Sequence, residues 1–302
     1  MPHELDNLNT GVWSFLDESQ EHRITRLYMP KWVTYARGNE ALARMEHLLR
    51  HPPCGRMPSM LLYGNSDIGK TVIVDKFIRD HPNICNEYGE VEARQVLRLQ
   101  MPSRPNDNKL YAQIIEALGH NAPYTRRGTD LEILGLRLLH RHPPRLMIVD
   151  EVHHLLAGTV REQRQSLNQL KFLSNELRMS VIALGTSEAL YAMQADPQIA
   201  SRFEPMALPK WRESAQLREF VVSFGRLLPL HYPSRFGDKE MIQKLMAFSG
   251  GLTGKITTLL TQAAELAIRD KSESVSLALL DRAAAAGIFK LQPEPEFDAA
   301  DV

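Results

Sequence analysis

Apolar and polar positions follow two different periods along this chain. Three short unbroken apolar runs, Met60-Leu61-Leu62-Tyr63, Leu146-Met147-Ile148-Val149 and Val181-Ile182-Ala183-Leu184, read as strands buried on both faces. Val91 to Leu99 alternates well enough to predict a fourth strand. Between these runs the spacing turns helical. Leu42, Met45, Leu48 and Leu49 share one stripe of a helix over 39–49, which His51-Pro52-Pro53 closes. Leu110, Ile114, Ile115 and Leu118 mark a second helix, 131–139 a third, and Leu167, Leu170, Leu173 and Leu177 a fourth over 166–177. Strands alternating with helices predict an α/β fold, a parallel sheet covered by helices. Beyond Trp211 strand signals cease, and helices near 213–227, 238–249, 254–269 and 275–286 predict a small all-α unit. Residues 1–35 are polar with scattered anchors such as Val12, Phe15 and Trp32, and read as an arm laid on the domain or kept for a partner. The expected organisation is arm 1–35, α/β domain 36–209, helical domain 210–290 and a disordered acidic tail over 291–302.

The first strand runs directly into Gly64-Asn65-Ser66-Asp67-Ile68-Gly69-Lys70-Thr71, a complete G-x-x-x-x-G-K-T pattern. Gly64 and Gly69 let the backbone wrap a phosphate with its N–H groups inward. Lys70 reaches the β- and γ-phosphates, and the Thr71 hydroxyl can ligate Mg²⁺. A helix beginning near Gly69 aims its positive end at the anion. Val72, Ile73, Val74, Phe77 and Ile78 supply that helix with an apolar face, so the strand before and the helix after are both predicted. ATP with Mg²⁺ is the expected ligand.

Eighty residues beyond Lys70, the run ending at Val149 continues into Asp150-Glu151. Carboxylates at the C-terminal end of a buried parallel strand lie in the crevice where open α/β sheets bind ligands. Asp150 suits a magnesium held through water, and Glu151 suits the orientation or deprotonation of an attacking water. The plainer alternative makes Asp150 a helix cap and Glu151 a solvated side chain; the upstream loop argues against it. Together the two motifs point to ATP hydrolysis.

Composition narrows the class. No run approaches the roughly 18 apolar residues of a membrane span, and the start lacks a signal-peptide pattern, so no membrane partner is expected. Cys54 and Cys85 lack metal-ligand spacing and read as reduced thiols of a cytoplasmic protein. The net charge of zero argues against a uniformly basic nucleic-acid binder. Glu294, Glu296, Asp298 and Asp301 concentrate acid in the last twelve residues, leaving the rest of the chain with four more basic than acidic residues.

The phosphate loop at 64–71, the acidic strand at 146–151, the strand ending at Thr186, Ser201-Arg202-Phe203 and the helical region together resemble an AAA+ P-loop ATPase with a small all-α lid. More narrowly, Trp32-Val33-x-Tyr35, Arg56-Met57-Pro58, Asp150-Glu151-Val152-His153 and Ala183-Leu184-Gly185-Thr186 resemble the TniB/TnsC group, ATPases that accompany DDE transposases in mobile elements. The resemblance covers most of residues 30–270. It implies a sensor role for Thr186 towards the γ-phosphate, where the alternative is an ordinary strand-end threonine. It implies that Arg202 is an arginine finger acting across a subunit boundary, the alternative being a solvated arginine paired with Glu204. Lys255, in Gly250-Gly251-Leu252-Thr253-Gly254-Lys255, matches the lid's second sensor, where many relatives carry arginine. A lysine offers a point charge rather than a bidentate fork. His153 and His154 could couple nucleotide state to a partner, but read more simply as exposed helix-start histidines.

Lys109, Arg126, Arg127 and Thr129 flank the helix after the second strand, where the resemblance implies residues that line a central channel and contact DNA. Contact with the backbone of duplex DNA through such side chains is independent of sequence and sensitive to salt. The alternative is solvated surface. The leading expectation is an ATP-dependent transposition regulator that oligomerises as a ring or filament on duplex DNA and recruits or activates a transposase, hydrolysis driving disassembly. The alternative is a nucleotide-switched signalling scaffold without DNA in its cycle. A small-molecule P-loop kinase fits less well, because no acceptor pocket or arginine-bearing lid loop is visible.

Overall fold

The computed structural model describes residues 10–85, 91–122, 128–194 and 200–286. Seven strands are described: β1 (Ser59–Tyr63), β2 (Ile84–Cys85), β3 (Val91–Ala93), β4 (Val96–Gln100), β5 (Leu146–Asp150), β6 (Ser180–Gly185) and β7 (Phe203–Ala207). Five of them form one sheet in the order β4-β5-β6-β1-β7, and every pairing in it is parallel. The continuous apolar runs explain the three central strands. Leu146 to Val149 are fully buried, each worth about 2 kcal/mol relative to an exposed position, and such a run is stable only with helices on both faces. Because the sheet is parallel, Gln100, Asp150, Gly185, Tyr63 and Ala207 all stand at one edge, where the chain turns into the next loop.

The edge strand β7 was not expected from sequence, since Glu204 and Pro205 interrupt any apolar run. Its hydrogen bonds explain why proline is tolerated. Ser59 N donates to Arg202 O and Leu208 N donates to Tyr63 O, so even-numbered residues of this strand face β1. Pro205 therefore turns its missing N–H away from the ladder, as prolines in edge strands do. The outward carbonyl of Ala207 accepts from Arg37 Nε at 2.8 Å.

The single strand expected over 91–99 is two strands. β4 joins the main sheet, whereas β3 pairs antiparallel with β2 in a separate two-stranded sheet. Gln95, at the break, accepts from both Arg145 N and Leu146 N at 3.1 Å, which fixes the start of β4 against β5. Helices Ala36–Arg50, Lys70–Asp80, Asp107–Ala117, Gly128–Arg141, Val160–Glu176 and Ser187–Gln194 accompany the sheet. Several starts are capped. Asn106 accepts from Lys109 N, and Thr159 forms a reciprocal box with Glu162, each worth about 1 kcal/mol.

The chain divides into two compact units, residues 36–209 and residues 1–35 with 210–302. The second is built on helices Gln20–Leu27, Ala215–Gly225, Lys239–Ser249, Thr253–Arg269 and Leu277–Ala285. Part of the N-terminal segment packs into this second unit. Ile24, Leu27 and Val33 are buried in the same core as Leu217, Phe220, Leu259 and Leu280. Tyr35 packs on Trp211 and Phe220 with ring centroids 5.4 and 5.7 Å apart, and Arg23 is buried with Glu273 and the Pro229 carbonyl. The amphipathic period of this short helix was masked by Arg23, whose charge belongs inside. The acidic tail at 291–302 lies outside the described residues. Cys54 is free, while the side chain of Cys85 lies outside them. Among the described residues no helix is long and apolar enough to cross a membrane.

Candidate functional site

Gly64 leaves the end of β1 and donates its N–H to Gly185 O on β6 at 3.2 Å. A side chain at Gly64 would lie 2.6 Å from Leu208 O, so the loop's first turn needs glycine for close backbone approach. Asp67 (φ 60°) and Gly69 (φ 101°) adopt left-handed backbone, which folds 64–69 into a compact turn before the helix opens at Lys70. Ile68 anchors the loop from beneath, 2% exposed, while Asn65, Ser66, Asp67 and Thr71 are exposed. Lys70 Nζ donates to Gly64 O at 2.8 Å and Asn65 O at 2.9 Å, so its ammonium is held inside the turn. Burial pulls the Lys70 pKa below its usual value, and the negative charges of Glu151, Asp150 and Asp67 oppose that shift. Those carboxylates therefore belong to the electrostatic surroundings of the loop lysine.

Asp150, at the end of β5, is 8% exposed. Its Oδ1 accepts the Glu151 N–H at 2.9 Å and its Oδ2 accepts from Arg98 Nη2 at 2.9 Å. Arg98, on β4, also donates to Asp75 Oδ1 at 2.5 Å, joining the acidic strand to the helix that follows the phosphate loop. No motif points to Arg98. Its place depends on the register of β4 with β5, which sets Gln100 opposite Asp150. Glu151 has left-handed backbone (φ 57°, ψ 37°), and its side chain is half-buried. Gly185 lets the following turn, Val152–Ala157, come close, because a side chain there would lie 2.9 Å from Val152 Cγ2.

The two histidines depart from the expectation of exposed positions. Both are half-buried. His153 Nδ1 lies 3.0 Å from Glu151 Oε2, and His154 Nδ1 lies 3.0 Å from Met101 O just beyond β4. Thr186 follows β6 and donates its hydroxyl to Glu188 Oε2 at 2.9 Å. Gly64, Lys70, Asp150, Glu151 and Thr186 thus all lie on the loops at the C-terminal edge of the sheet.

Arg202 lies at the opposite end. Its carbonyl pairs with Ser59 N, one β1 strand length or about 16 Å from the loop. It does not pair with Glu204, which is bound by Arg44; Arg202 Nη1 donates instead to Asn175 Oδ1 at 2.7 Å. Burial, and then the charge of Arg56, lower its pKa. Lys255 is half-buried on helix Thr253–Arg269 of the other compact unit. Lys109 is exposed in the first turn of helix Asp107–Ala117. Arg126, Arg127 and the side chain of Thr129 lie outside the described residues.

The family model described as bacterial TniB protein matches residues 23–213, more than half of the chain. The chain belongs to the TniB family. No curated protein matches it by sequence. Among solved structures it is similar to the Aeropyrum pernix ORC1 protein in complex with DNA, with a TM-score of 0.66 at 19% identity over 87% of this chain and 69% of that one. It is also similar to Cdc6p from Pyrobaculum aerophilum, with a TM-score of 0.64 at 13% identity over 86% of this chain and 70% of that one. For Drosophila ORC bound to DNA the values are 0.58 and 17%, over 89% and 66%. At these identities the likeness concerns the fold. This TniB-family chain has the AAA+ fold, with its five-stranded parallel sheet and a helical C-terminal region.

Proposed function

We propose that this TniB-family protein is an ATPase that regulates DNA transposition. It assembles with copies of itself on duplex DNA while ATP is bound, recruits or activates a transposase, and disassembles on hydrolysis. The observation that carries the reading is the joining of the phosphate loop to the acidic strand. The charges of Glu151 and Asp150 act on Lys70, and Arg98 links Asp150 to the helix that Lys70 begins.

In this reading the backbone of 64–69 cradles the phosphates at the helix N-terminus, and Lys70 exchanges its two carbonyl contacts for β- and γ-phosphate oxygens. The donor set fits Mg²⁺, since an exposed Thr71 hydroxyl and a buried Asp150 carboxylate are hard oxygen ligands. When bound, the ion neutralises charge on the phosphate oxygens. Glu151 takes a proton from the attacking water, and Thr186 orients towards the γ-phosphate. Arg202 is too far from its own loop to serve it, which supports a role at the loop of a neighbouring copy. Lys255 would approach the nucleotide from the helical lid. Lys109, with Arg126, Arg127 and Thr129, would contact the DNA backbone. Two structural neighbours, the Aeropyrum pernix ORC1 protein in complex with DNA and Drosophila ORC bound to DNA, support a DNA-associated cycle.

The test measures ATP turnover with and without duplex DNA, alongside imaging with a slowly hydrolysed analogue. DNA-stimulated turnover with rings or filaments is expected. Turnover indifferent to DNA, with no assembly, would replace this reading with a signalling scaffold. Glu151→Gln is expected to bind ATP and hold the assembled state; turnover near the parent's would remove Glu151 from its role.

A further inference from the structure

The geometry points to His153 as the residue that positions Glu151 for hydrolysis, a deepening that rests on the proposed role of Glu151. His153 Nδ1 is buried and has no hydrogen-bond partner in the structure, yet the nearest carboxylate oxygen, Glu151 Oε2, is 3.0 Å away. Buried polar atoms without partners are uncommon and call for a reason. Here the pair is in contact but off the line of a hydrogen bond, the kind of catalytic contact that aligns when substrate is bound. Once aligned, that contact holds one carboxylate oxygen and leaves the other to accept a proton, the general arrangement of a base oriented by a third group.

The imidazole packs against a neighbour that is itself tied down. Its ring lies 4.9 Å from that of His154, tilted by 59°. His154 Nδ1 is tied to Met101 O, directly after β4, and Met101 N in turn donates to Asp150 O at 2.8 Å. The left-handed backbone of Glu151 starts the turn that brings its side chain back over His153. His153 touches neither the phosphate loop nor Asp150 through any hydrogen bond or ion pair, so its effect passes through Glu151.

The experiment compares His153→Ala and His153→Asn with the parent chain, reading kcat, KM, nucleotide affinity by titration, and Tm. A side-chain amide at Asn reproduces a donor near Nδ1. Expected are a fall of about tenfold or more in kcat for His153→Ala, unchanged nucleotide affinity and Tm, and substantial recovery in His153→Asn. Parent-level or raised kcat in His153→Ala, equal impairment of both variants, or a loss of affinity or Tm that accounts for the rate would overturn the assignment. Glu151→Gln run in parallel separates the two claims. If it turns over normally, the role of Glu151 fails; if it is inactive while His153→Ala is not, only the role of His153 fails.

Discussion

Arg98 Nη2 donates to Asp150 Oδ2 at 2.9 Å, so the most buried carboxylate among the described residues at that edge of the sheet is paired with a cation. Arg98 reaches it from the neighbouring strand and spans onward to Asp75. Removing it would leave Asp150 charged in a place that water barely reaches. Arg98→Ala is expected to lower unfolding free energy by about 1.5–3 kcal/mol, since the arginine end is itself about one-third exposed. Arg98→Lys keeps the charge but loses the fork and should fall between. Denaturant melts at fixed ionic strength read both.

Arg202 is expected to act only between copies. Arg202→Ala alone should turn over slowly, and Glu151→Gln alone should not turn over. Mixed, the Glu151→Gln copies supply an intact Arg202 to the intact loops of the other variant, and activity should partly return. A mixture no faster than Arg202→Ala alone at matched active-site concentration would argue against the finger.

Gly64→Ala places a methyl group 2.6 Å from the Leu208 carbonyl oxygen, a contact only backbone movement can relieve. The expected cost is about 1–3 kcal/mol of stability, with nucleotide binding lost besides. Gly55→Ala, which meets nothing within 4 Å, is the control and should leave both unchanged. Thermal melts with and without nucleotide separate the two effects.

Burial lowers the pKa of Lys31 to about 8, although its ammonium donates to the carbonyls of Arg26 and Met29. A lysine whose folded pKa lies below its unfolded value costs stability while charged. The cost eases as pH rises from about 8 towards the unfolded value, because there the unfolded chain binds more protons. Lys31→Gln should therefore be relatively more stabilising at pH 7 than at pH 9.5, by about 1 kcal/mol after allowing for partial exposure. Parallel unfolding curves across that range check the sign, since other titrations cancel in the difference.

The legible parts of the chain were those whose meaning is local. The loop 64–71 and the runs ending at Tyr63, Val149 and Leu184 carry their own period and chemistry, and they suffice for an α/β sheet with a phosphate loop at its edge. The features that stayed hidden depend on register or on backbone conformation. Arg98 matters because β4 and β5 are aligned to bring it beside Asp150. His153 matters because the chain turns sharply at the left-handed Glu151, where a histidine two residues on comes within 3.0 Å of the carboxylate. Strand β7 was obscured by Pro205, which is harmless only on one side of an edge strand. The buried stripe within residues 20–33 was hidden because a buried arginine, Arg23, imitates a solvent-facing one.

Pro205 and Arg37 interrupt the outer rim of β7, one offering no donor and the other capping one acceptor. A stray strand from another molecule would find little there to zip onto. On that flank the sheet therefore resists being lengthened by a further strand, and a partner docking there has to rely on side-chain contacts.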